Sequence, residues 1–398
     1  MAEAYVLVIN CGSSSIKLAL IEPQTADAPW QALAERLGTA EAELTVKTKD
    51  GDKRTIALAH AQHEPALEKA LGELPDRPLA AIGHRVVHGG ETFRDSVLLD
   101  ARAIAAIEAV SDLAELHNPA NLLGIRAGKK LRPDLGQVAV FDTAFHHTLP
   151  PHAFHYALPY ALYEKHKLRR YGFHGTSHQY VGGRAAELLQ RPFAELNLIT
   201  AHLGNGASAA AIQHGRSVDT TMGLTPLEGV AMGSRSGDVD PNLHEYLVNH
   251  AGLTLAQVGD LLNKQSGLLG LSGETNDMRK LLELERSGHA RAKLAIDVFC
   301  YRLAKGLLAM SAALPAIDAL VFTGGIGENA APVRARTAAW LRVLGIALDP
   351  KLNDDHGKHS NGTISASSSR VRVLVVPTQE ELVIAREALR LVQADPKS

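Results

Sequence analysis

Three short turns built from glycine and small polar residues are the first feature of this sequence that could carry chemistry. They occupy residues 10–15, 202–206 and 324–329, and each follows a short apolar run of strand character. Glycine allows positive φ and lets backbone N–H groups approach an anion closely. Consecutive N–H groups of this kind form a nest for phosphate. A single turn is common in any α/β protein, whereas three in one chain favour a bound nucleotide.

Four basic residues lie in apolar or glycine-rich surroundings, away from any charged helix face. They are Lys17, Arg85, His174 and Arg235. The chain as a whole has a net charge of −2, so it lacks a general basic field for nucleic acid or an anionic membrane surface. An anionic ligand must therefore be held by a few placed cations. Moving a phosphoryl group between two anions requires such cations, because the charge on the transferring oxygens must be neutralised.

Two other nucleotide-binding patterns compete with these turns as explanations. The sequence has no G-x-x-x-x-G-K-[ST] motif, which excludes a P-loop protein. Residues 325–330 follow a strand, precede a helix and have Asp349 further along, which imitates the fingerprint of a dinucleotide-binding dehydrogenase. That reading leaves the other two turns unexplained, and fluorescence titration with NAD would test it.

The cysteines and the N-terminal residues indicate the cellular compartment in which the protein is expected. Cys11 and Cys300 are too few and too widely spaced for a disulfide framework or a zinc site, and they fit a reducing compartment. The 19 histidines include no H-E-x-x-H motif. The N-terminus has no basic region ahead of its short apolar run, and no later apolar stretch is long enough to span a bilayer. We therefore expect a cytoplasmic protein with no membrane or nucleic-acid partner.

The elements that must position these residues alternate between strands and helices, which predicts the α/β class. Strands are expected at 5–9, 16–21, 138–141, 196–200, 208–212, 319–322 and 371–376, with a hairpin around Asp50 and Gly51. Helices are expected at 101–111, 119–131, 179–190, 290–314 and 380–392, with another ending near 342, and residues 323–329 are expected to form a loop. The similarity of residues 6–17 to 198–209 suggests two related halves. A proline-rich stretch at 150–159 is the candidate boundary between them.

Nine motifs spread over nearly the whole chain resemble those of the acetate kinase (acetokinase) family. They are VINCGSSSIK at 8–17, GHRVVHGG at 83–90, LHNP at 116–119, VFDTAFH at 140–146, RYGFHGTSH at 170–178, AHLGNG at 201–206, RSGDVDP at 235–241, FTGGIGEN at 322–329 and PTQEEL at 377–382. In combination these motifs are highly specific.

The resemblance implies a fold and a reaction. The family belongs to the superfamily of sugar kinases, heat-shock ATPases and actin, so two ribonuclease H-like lobes with a nucleotide cleft between them are expected. The lobes would comprise residues 1–148 plus 381–398 and residues 149–380. The implied reaction converts ATP and acetate into ADP and acetyl phosphate, with Mg²⁺ or Mn²⁺, in a homodimer.

The resemblance also implies roles for particular residues. Asn10 and Glu380 would position the metal, and because they lie at opposite ends of the chain, that metal is expected to bridge the lobes. The catalytic residues would be Arg85, Asp142, His174 and Arg235, and a pocket for the methyl group would be formed beside Arg85 by Val87, Leu116, Phe173 and Pro226. The nucleotide would be held by Ser13, Ser15, Lys17, His202, Leu203, Gly204, Asn205, Gly206, Asp277, Met278, Arg279, Gly325, Ile326, Gly327, Glu328 and Asn329.

Elementary chemistry refines two of these roles. Acetate is ionised at neutral pH because its pKa is close to that of glutamate, so it needs no general base. Asp142 is therefore expected to orient an arginine or a metal-bound water. A planar carboxylate matches a forked guanidinium better than an ammonium, which favours Arg85 over Lys17 as the group that binds the substrate.

Two alternatives stay open at this point. A propionate kinase or another short-chain acyl kinase would share every motif and differ only in the volume of its pocket. A non-catalytic, nucleotide-switched protein of the same superfamily is the alternative of a different class. The combination of Arg85, His174 and Arg235 argues against it, and trapping an acyl phosphate with hydroxylamine would separate the two.

Overall fold

Two β-sheets, each flanked by helices, make up the computed structural model, which describes residues 4–114 and 117–394. The strands are β1 (Tyr5–Cys11), β2 (Ile16–Ile21), β3 (Trp30–Glu35), β4 (Glu43–Thr48), β5 (Lys53–Ala57), β6 (Leu79–Val86), β7 (Val97–Leu98), β8 (Gln137–Phe141), β9 (Asn197–Leu203), β10 (Ala207–Gln213), β11 (Arg216–Thr220), β12 (Ala319–Thr323) and β13 (Arg372–Val375). The expected α/β class is confirmed.

The α-helices are α1 (His63–Leu71), α2 (Ala101–Ala109), α3 (Asn118–Leu131), α4 (Pro151–Phe154), α5 (Tyr160–His166), α6 (Gly175–Leu189), α7 (Leu243–Ala251), α8 (Leu255–Lys264), α9 (Gly267–Ser272), α10 (Met278–Arg286), α11 (Ala290–Ser311), α12 (Gly324–Asn329), α13 (Ala331–Trp340), α14 (Pro350–Asp354) and α15 (Glu380–Ala394). Short 3₁₀ helices occupy Ser111–Ala114, Ala144–Thr148, Phe193–Glu195 and Arg342–Leu344. None of the described helices is long and apolar enough to cross a bilayer.

The chain divides into two compact units. Unit 1 comprises residues 1–145 and 379–398, and unit 2 comprises residues 146–378. The first boundary lies between Phe145 and His146, just ahead of the proline-rich stretch.

The sheet of unit 1 has eight strands in the order β5-β4-β3-β2-β1-β6-β8-β7. Its central strands β1, β6 and β8 run parallel, and β1 and β8 are apolar almost throughout because helices cover both faces. Successive residues of β6 point to opposite faces. On one face a Cβ at Gly83 would lie 2.6 Å from Ile384 of α15. On the other, His84 lies beside Gly128 of α3.

The sheet of unit 2 has five strands in the order β11-β10-β9-β12-β13. Strands β9, β10 and β11 are antiparallel, while β12 and β13 run parallel to β9. The same arrangement occurs within the sheet of unit 1, where β3, β2 and β1 are antiparallel and β6 and β8 continue in parallel. The similarity between residues 6–17 and 198–209 therefore corresponds to equivalent hairpins, β1–β2 and β9–β10.

One expected element is wrong and several are missing from the sequence interpretation. Residues 323–329 were expected to form a loop, but Gly324–Asn329 is the helix α12, which begins where β12 ends. Gly324 has φ +76, and a Cβ there would lie 2.8 Å from the carbonyl oxygen of Leu203, so only glycine fits this entry into the helix. Helix α6 begins at Gly175, four residues before the expected start. Helices α7–α10 had no counterpart among the expected elements.

Candidate active site

In unit 1 the predicted site residues gather at the carboxyl ends of the parallel strands. Arg85 lies at the end of β6, and Asp142 follows β8 directly. Nε of Arg85 donates to Oδ1 of Asp142 at 2.9 Å, and Nη2 donates to Oδ2 at 2.6 Å. The side chain of Asp142 is 1% exposed, whereas that of Arg85 is 23% exposed. A buried carboxylate thus holds one edge of a guanidinium that reaches solvent on its other side.

Burial and the charge of the partner both act on the pKa values of Asp142 and Arg85. Burial raises the pKa of Asp142 above the usual aspartate range, and the charge and hydrogen bonds of Arg85 oppose that shift. Burial alone would lower the pKa of Arg85, but the nearby carboxylate of Asp142 outweighs it and raises that pKa. Arg85 therefore stays a cation at every working pH.

Hydrogen bonds to the backbone brace the segment that follows Arg85. The N–H of Val87 donates to Asn121 at 3.0 Å, and the amide of Asn121 donates in turn to the carbonyl of Cys11 at 2.6 Å. Asn118 accepts from the N–H of His88 at 3.1 Å and donates to its carbonyl at 3.0 Å. Helix α3, which carries both asparagines, therefore fixes the end of β6 relative to the β1–β2 hairpin.

The two predicted metal ligands lie near the same arginine. Oδ1 of Asn10 accepts a hydrogen bond from Nη1 of Arg85 at 3.4 Å. Glu380 begins α15, and its charge acts on the pKa of both Arg85 and Asp142. Both residues belong to unit 1 because α15 packs against β1, β6 and β8. Their positions at opposite ends of the chain therefore do not place them in different halves, and their role as metal ligands stays a prediction.

The donor chemistry at this place fits Mg²⁺. An amide oxygen and carboxylates are hard oxygen ligands, and Mg²⁺ is commonly held by one or two protein groups together with water and phosphate. No group of three or more His, Cys, Asp or Glu side chains suited to a metal occurs in the part of the chain that is described.

The first predicted phosphate turn joins β1 to β2 in this unit. It is closed by a hydrogen bond from the N–H of Gly12 to the carbonyl of Ser15 at 2.8 Å. Ser13 is exposed and Ser15 is half-buried. Lys17 forms an ion pair with Glu381, and although burial acts to raise the pKa of Glu381, this lysine keeps it below the usual range. Lys17 therefore enters any phosphate contact already paired.

In unit 2, His174 and Arg235 point to a common place above Gly206. His174 immediately precedes α6 with φ 58 and ψ 26, an uncommon conformation for a residue with a side chain. A Cβ at position 206 would lie 2.7 Å from Nη2 of Arg235 and 3.2 Å from Nε2 of His174. Only glycine leaves room for both groups. Nη1 of Arg235 is tied to the carbonyl of Pro226 at 2.5 Å, which aims the guanidinium.

A cavity of about 620 Å³ opens beside this place within unit 2. It brings together three segments that the sequence had assigned to the nucleotide, and they contribute Gly204, Asn205, Asp277, Met278, Arg279, Gly325, Ile326 and Asn329. Its volume is in the range of small-molecule binding sites. His202, Leu203, Gly206, Gly327 and Glu328 do not line it.

Two of the predicted nucleotide residues act on the protein itself. The carboxylate of Glu328 accepts from the N–H groups of Gly324 at 3.0 Å and Thr378 at 3.1 Å, so it holds the start of α12 in place. Asp277 caps α10 by accepting from the N–H of Arg279 at 2.9 Å. The side chain of Arg279 is 86% exposed and pairs with Asp277. These two carboxylates therefore shape the walls of the cavity.

The proposed methyl pocket is not assembled within either unit. Val87 is buried in unit 1, whereas Phe173 is buried and Pro226 half-buried in unit 2. Leu116 lies outside the described residues. The pocket therefore stays a prediction from the resemblance.

Sequence reasoning missed some residues of this region. Asn276, Leu282 and Ala330 line the cavity, and Asn276 donates to Oδ1 of Asn205 at 2.9 Å. Asn276 could have been found from its position beside Asp277. Ser208, which contacts His174, lies in a run of alanines that carries no signal of chemistry.

Comparison with known proteins decides the family. A sequence model of the acetokinase family matches residues 5–386. This chain belongs to the acetokinase family. An acetate kinase of Ectopseudomonas mendocina is 54% identical over 396 residues, covering 98% of this chain and 100% of the relative. An acetate kinase of Deinococcus radiodurans is 53% identical, covering 98% of each chain.

Solved structures of acetokinases agree. A propionate kinase from Francisella tularensis has a TM-score of 0.93 and 44% identity, covering 98% of this chain and 100% of that one. Acetate kinase from Porphyromonas gingivalis has a TM-score of 0.91 and 43% identity, with the same coverage. The family shows that the chain is an enzyme, a kinase that uses ATP. The resemblance drawn from the motifs is confirmed.

Proposed function

We propose that this acetokinase transfers the γ-phosphoryl group of ATP to acetate, reversibly, giving ADP and acetyl phosphate by direct in-line transfer. The observation that carries the proposal is the approach of His174 and Arg235 to Gly206. Two donors aimed at one point suit the equatorial oxygens of a transferring phosphoryl group, where negative charge must be stabilised. The cavity lined by Gly204 and Asn205 would hold the rest of the nucleotide next to that point.

The acceptor would be bound by Arg85. Asp142 occupies Nε and one hydrogen of Nη2, and Asn10 accepts one hydrogen of Nη1, which leaves one hydrogen on each Nη for a second planar carboxylate. Acetate arrives already ionised, so no proton has to be removed. Asp142 then serves as a positioning residue, and the transfer depends on charge and alignment in place of acid–base catalysis. The methyl group would lie against Val87, Leu116, Phe173 and Pro226.

Asn10 and Glu380 would hold Mg²⁺, or Mn²⁺ in its place. The metal would neutralise charge on the phosphate oxygens of ATP. Ser13, Ser15 and Lys17 would lie near those phosphates, and His202, Leu203, Gly206 and the α12 residues Gly327 and Glu328 would support the nucleotide from the protein side.

A propionate kinase remains the second candidate, because a solved structure with that name has the same fold at 44% identity. We also propose a cytoplasmic homodimer. The cytoplasm supplies ATP and keeps thiols reduced, and Cys11 and Cys300 are both free and buried. Exposed Tyr301, Trp340 and Val343 supply apolar surface suited to a partner copy.

The proposal is tested by incubating the enzyme with ATP, Mg²⁺ and acetate in the presence of hydroxylamine. Equal amounts of ADP and acetyl hydroxamate are expected. ADP without hydroxamate would indicate a nucleotide-hydrolysing or switching protein, and would contradict the proposal.

A further inference from the structure

A hydrogen-bonded network of side chains in unit 2 runs from Thr200 through His178 and Ser208 to His174. Oγ1 of Thr200 lies 2.7 Å from Nδ1 of His178, and Nε2 of His178 lies 2.8 Å from Oγ of Ser208. The same Oγ lies 2.9 Å from Nδ1 of His174. Thr200, His178 and Ser208 are each 0% exposed. Water therefore cannot exchange with any member between Thr200 and His174.

Burial fixes the direction of this network at its far end. A threonine hydroxyl carries one hydrogen, and a buried hydrogen needs an acceptor. The side chain of Thr200 has one hydrogen-bond partner among the described residues, Nδ1 of His178. Thr200 therefore donates to that nitrogen. In the reverse arrangement His178 would donate, and the hydroxyl hydrogen of Thr200 would have no acceptor in the core.

The same reasoning applies next to His178 and then to Ser208. A histidine that accepts at Nδ1 and is neutral must carry its hydrogen on Nε2. His178 is neutral, since burial lowers its pKa well below the usual value. It therefore donates from Nε2 to Ser208. Ser208 then has its hydroxyl hydrogen left for Nδ1 of His174.

We propose that Thr200, His178 and Ser208 are positioning residues that fix His174 as a neutral imidazole with its hydrogen on Nε2. Nε2 is the nitrogen that lies 3.2 Å from the Cβ position of Gly206, beside Nη2 of Arg235. His174 thus presents a hydrogen-bond donor to an oxygen anion at that place, while Arg235 supplies the charge. The use made of this N–H rests on the proposed function, whereas the tautomer itself does not.

The same hydrogen bonds also disfavour a protonated, positively charged imidazolium at His174. A charged His174 would carry a hydrogen on Nδ1, which faces the hydroxyl hydrogen of Ser208. Relieving that clash either leaves the hydroxyl hydrogen of Ser208 without an acceptor or reverses all three hydrogen bonds, which leaves the hydroxyl hydrogen of Thr200 without one. The geometry therefore separates the roles of two neighbouring donors, one neutral and one permanently charged.

The decisive measurement is ¹⁵N NMR of the full-length enzyme with labelled histidine, in the absence of substrates. The long-range ¹⁵N–¹H pattern distinguishes the two neutral tautomers and the imidazolium, and the His174→Gln variant assigns the resonance. His174 and His178 are both expected to carry hydrogen on Nε2 at neutral pH. Hydrogen on Nδ1 of His174, or an imidazolium, would overturn the proposal whether or not the enzyme phosphorylates acetate.

Variants supply a second test. Ser208→Ala should fit its alanine-rich strand, shift the tautomer of His174, and lower kcat about tenfold with little change in the KM for ATP, because one neutral hydrogen bond has been lost. Ser208→Thr retains the hydroxyl and should restore both readouts. A Ser208→Ala variant with the wild-type tautomer of His174 would refute the role of Ser208.

Ser217 offers a matched control. Its hydroxyl lies 2.7 Å from Nδ1 of His146, and both residues are 0% exposed. Nε2 of His146 lies 3.0 Å from the carbonyl of Phe173, which keeps the hydrogen on Nε2 of His146 when Ser217 is removed. The ring of His146 packs edge-on against His178, with centroids 5.6 Å apart, but does not touch His174. Ser217→Ala should leave the tautomer of His174 and kcat unchanged. A change of the same size as in Ser208→Ala would show that general loosening of the core explains both variants.

Discussion

Asp142 holds Arg85 through two hydrogen bonds of 2.9 and 2.6 Å, and of the two side chains only Arg85 is accessible to solvent. Paired hydrogen bonds to a carboxylate fix the plane of a guanidinium as well as its position. A buried carboxylate with this arrangement cannot reach a substrate atom directly. It determines how the exposed edge of Arg85 meets an incoming carboxylate.

The first prediction concerns this pair. Asp142→Asn keeps the shape but removes the charge and one of the two acceptors. Loss of a charge-assisted hydrogen bond costs about 1.5–3 kcal/mol, which corresponds to roughly 10- to 150-fold. We expect kcat/KM for acetate to fall by about that factor, while the KM for ATP changes little. Steady-state kinetics with each substrate varied in turn measure both.

Arg132 and Asp134 provide the control for that variant. They form an equivalent two-bond pair, at 3.0 and 2.8 Å, on the surface of the same unit. Asp134→Asn should leave all kinetic constants unchanged. Equal losses in Asp142→Asn and Asp134→Asn would mean that the role assigned to Asp142 is wrong.

The second prediction concerns Arg235. Removing a preorganised charge donor lowers kcat by on the order of 10²–10³, so Arg235→Ala should do so while the Kd for nucleotide barely changes. Gly206→Ala should reproduce much of this loss, because its Cβ would lie 2.7 Å from Nη2 of Arg235. Gly183→Ala, which adds a Cβ with no atom within 4 Å, is the control.

Equilibrium binding of ATP to these variants separates the two roles of Arg235. A variant with nearly normal kcat and a poor Kd would show that Arg235 binds nucleotide without stabilising the transferring group.

The third prediction concerns the metal. Glu380→Gln removes a carboxylate charge from the proposed ligand set. It should raise the Mg²⁺ concentration needed for half-maximal rate by at least about tenfold, since even outer-shell partners of a metal contribute that much. Glu387→Gln, on the same helix, should leave the requirement unchanged. An unaltered Mg²⁺ titration for Glu380→Gln would exclude this residue from the metal site.

The fourth prediction concerns acid stability. Burial lowers the pKa of His84 and of His146 to about 4, against about 6.5 in an unfolded chain. Between these values the unfolded chain binds more protons, so stability falls as pH falls through that window. Each histidine costs up to about 1.4 kcal/mol per pH unit there. The temperature at the midpoint of thermal unfolding should therefore fall as the pH is lowered from about 6.5 towards 4.

His84→Gln should make that drop shallower, because the amide does not titrate. His166→Gln, at an exposed position, should not alter it. If His84→Gln has the same pH dependence as the wild type, the acid sensitivity has another origin.

Local patterns were enough to predict most of the strands and the longest helices of this fold, but not β6 or the helices α7–α10. The alternation of residues 44–58 predicted the β4–β5 hairpin, and apolar runs predicted β8, β9 and β12. The α12 segment was assigned wrongly because its three glycines favour a turn in isolation. The carboxylate of Glu328, which accepts from the N–H of Gly324, stabilises the helix there. That contact cannot be read from periodicity.

The site shows the same division. The resemblance to acetokinase motifs marked Arg85 and Asp142 as important, but only the parallel pairing of β6 with β8 places them together. Nothing in the sequence around Ser208 and Thr200 indicates a functional role, since a serine among alanines and a threonine in a strand are ordinary. Their importance depends on which histidine nitrogen each one faces.

The acceptor acid is the central claim, and comparison of three acids tests it most directly. The measurement is kcat/KM for acetate, propionate and butyrate with the wild type and with Val87→Ala. An apolar pocket discriminates one methylene by about 10- to 200-fold, so acetate should lead, propionate should follow, and butyrate should be poor. Val87→Ala should raise the two longer acids relative to acetate, mainly through KM. A wild-type enzyme that prefers propionate, or that forms no acyl phosphate from any of the three acids, would contradict the account.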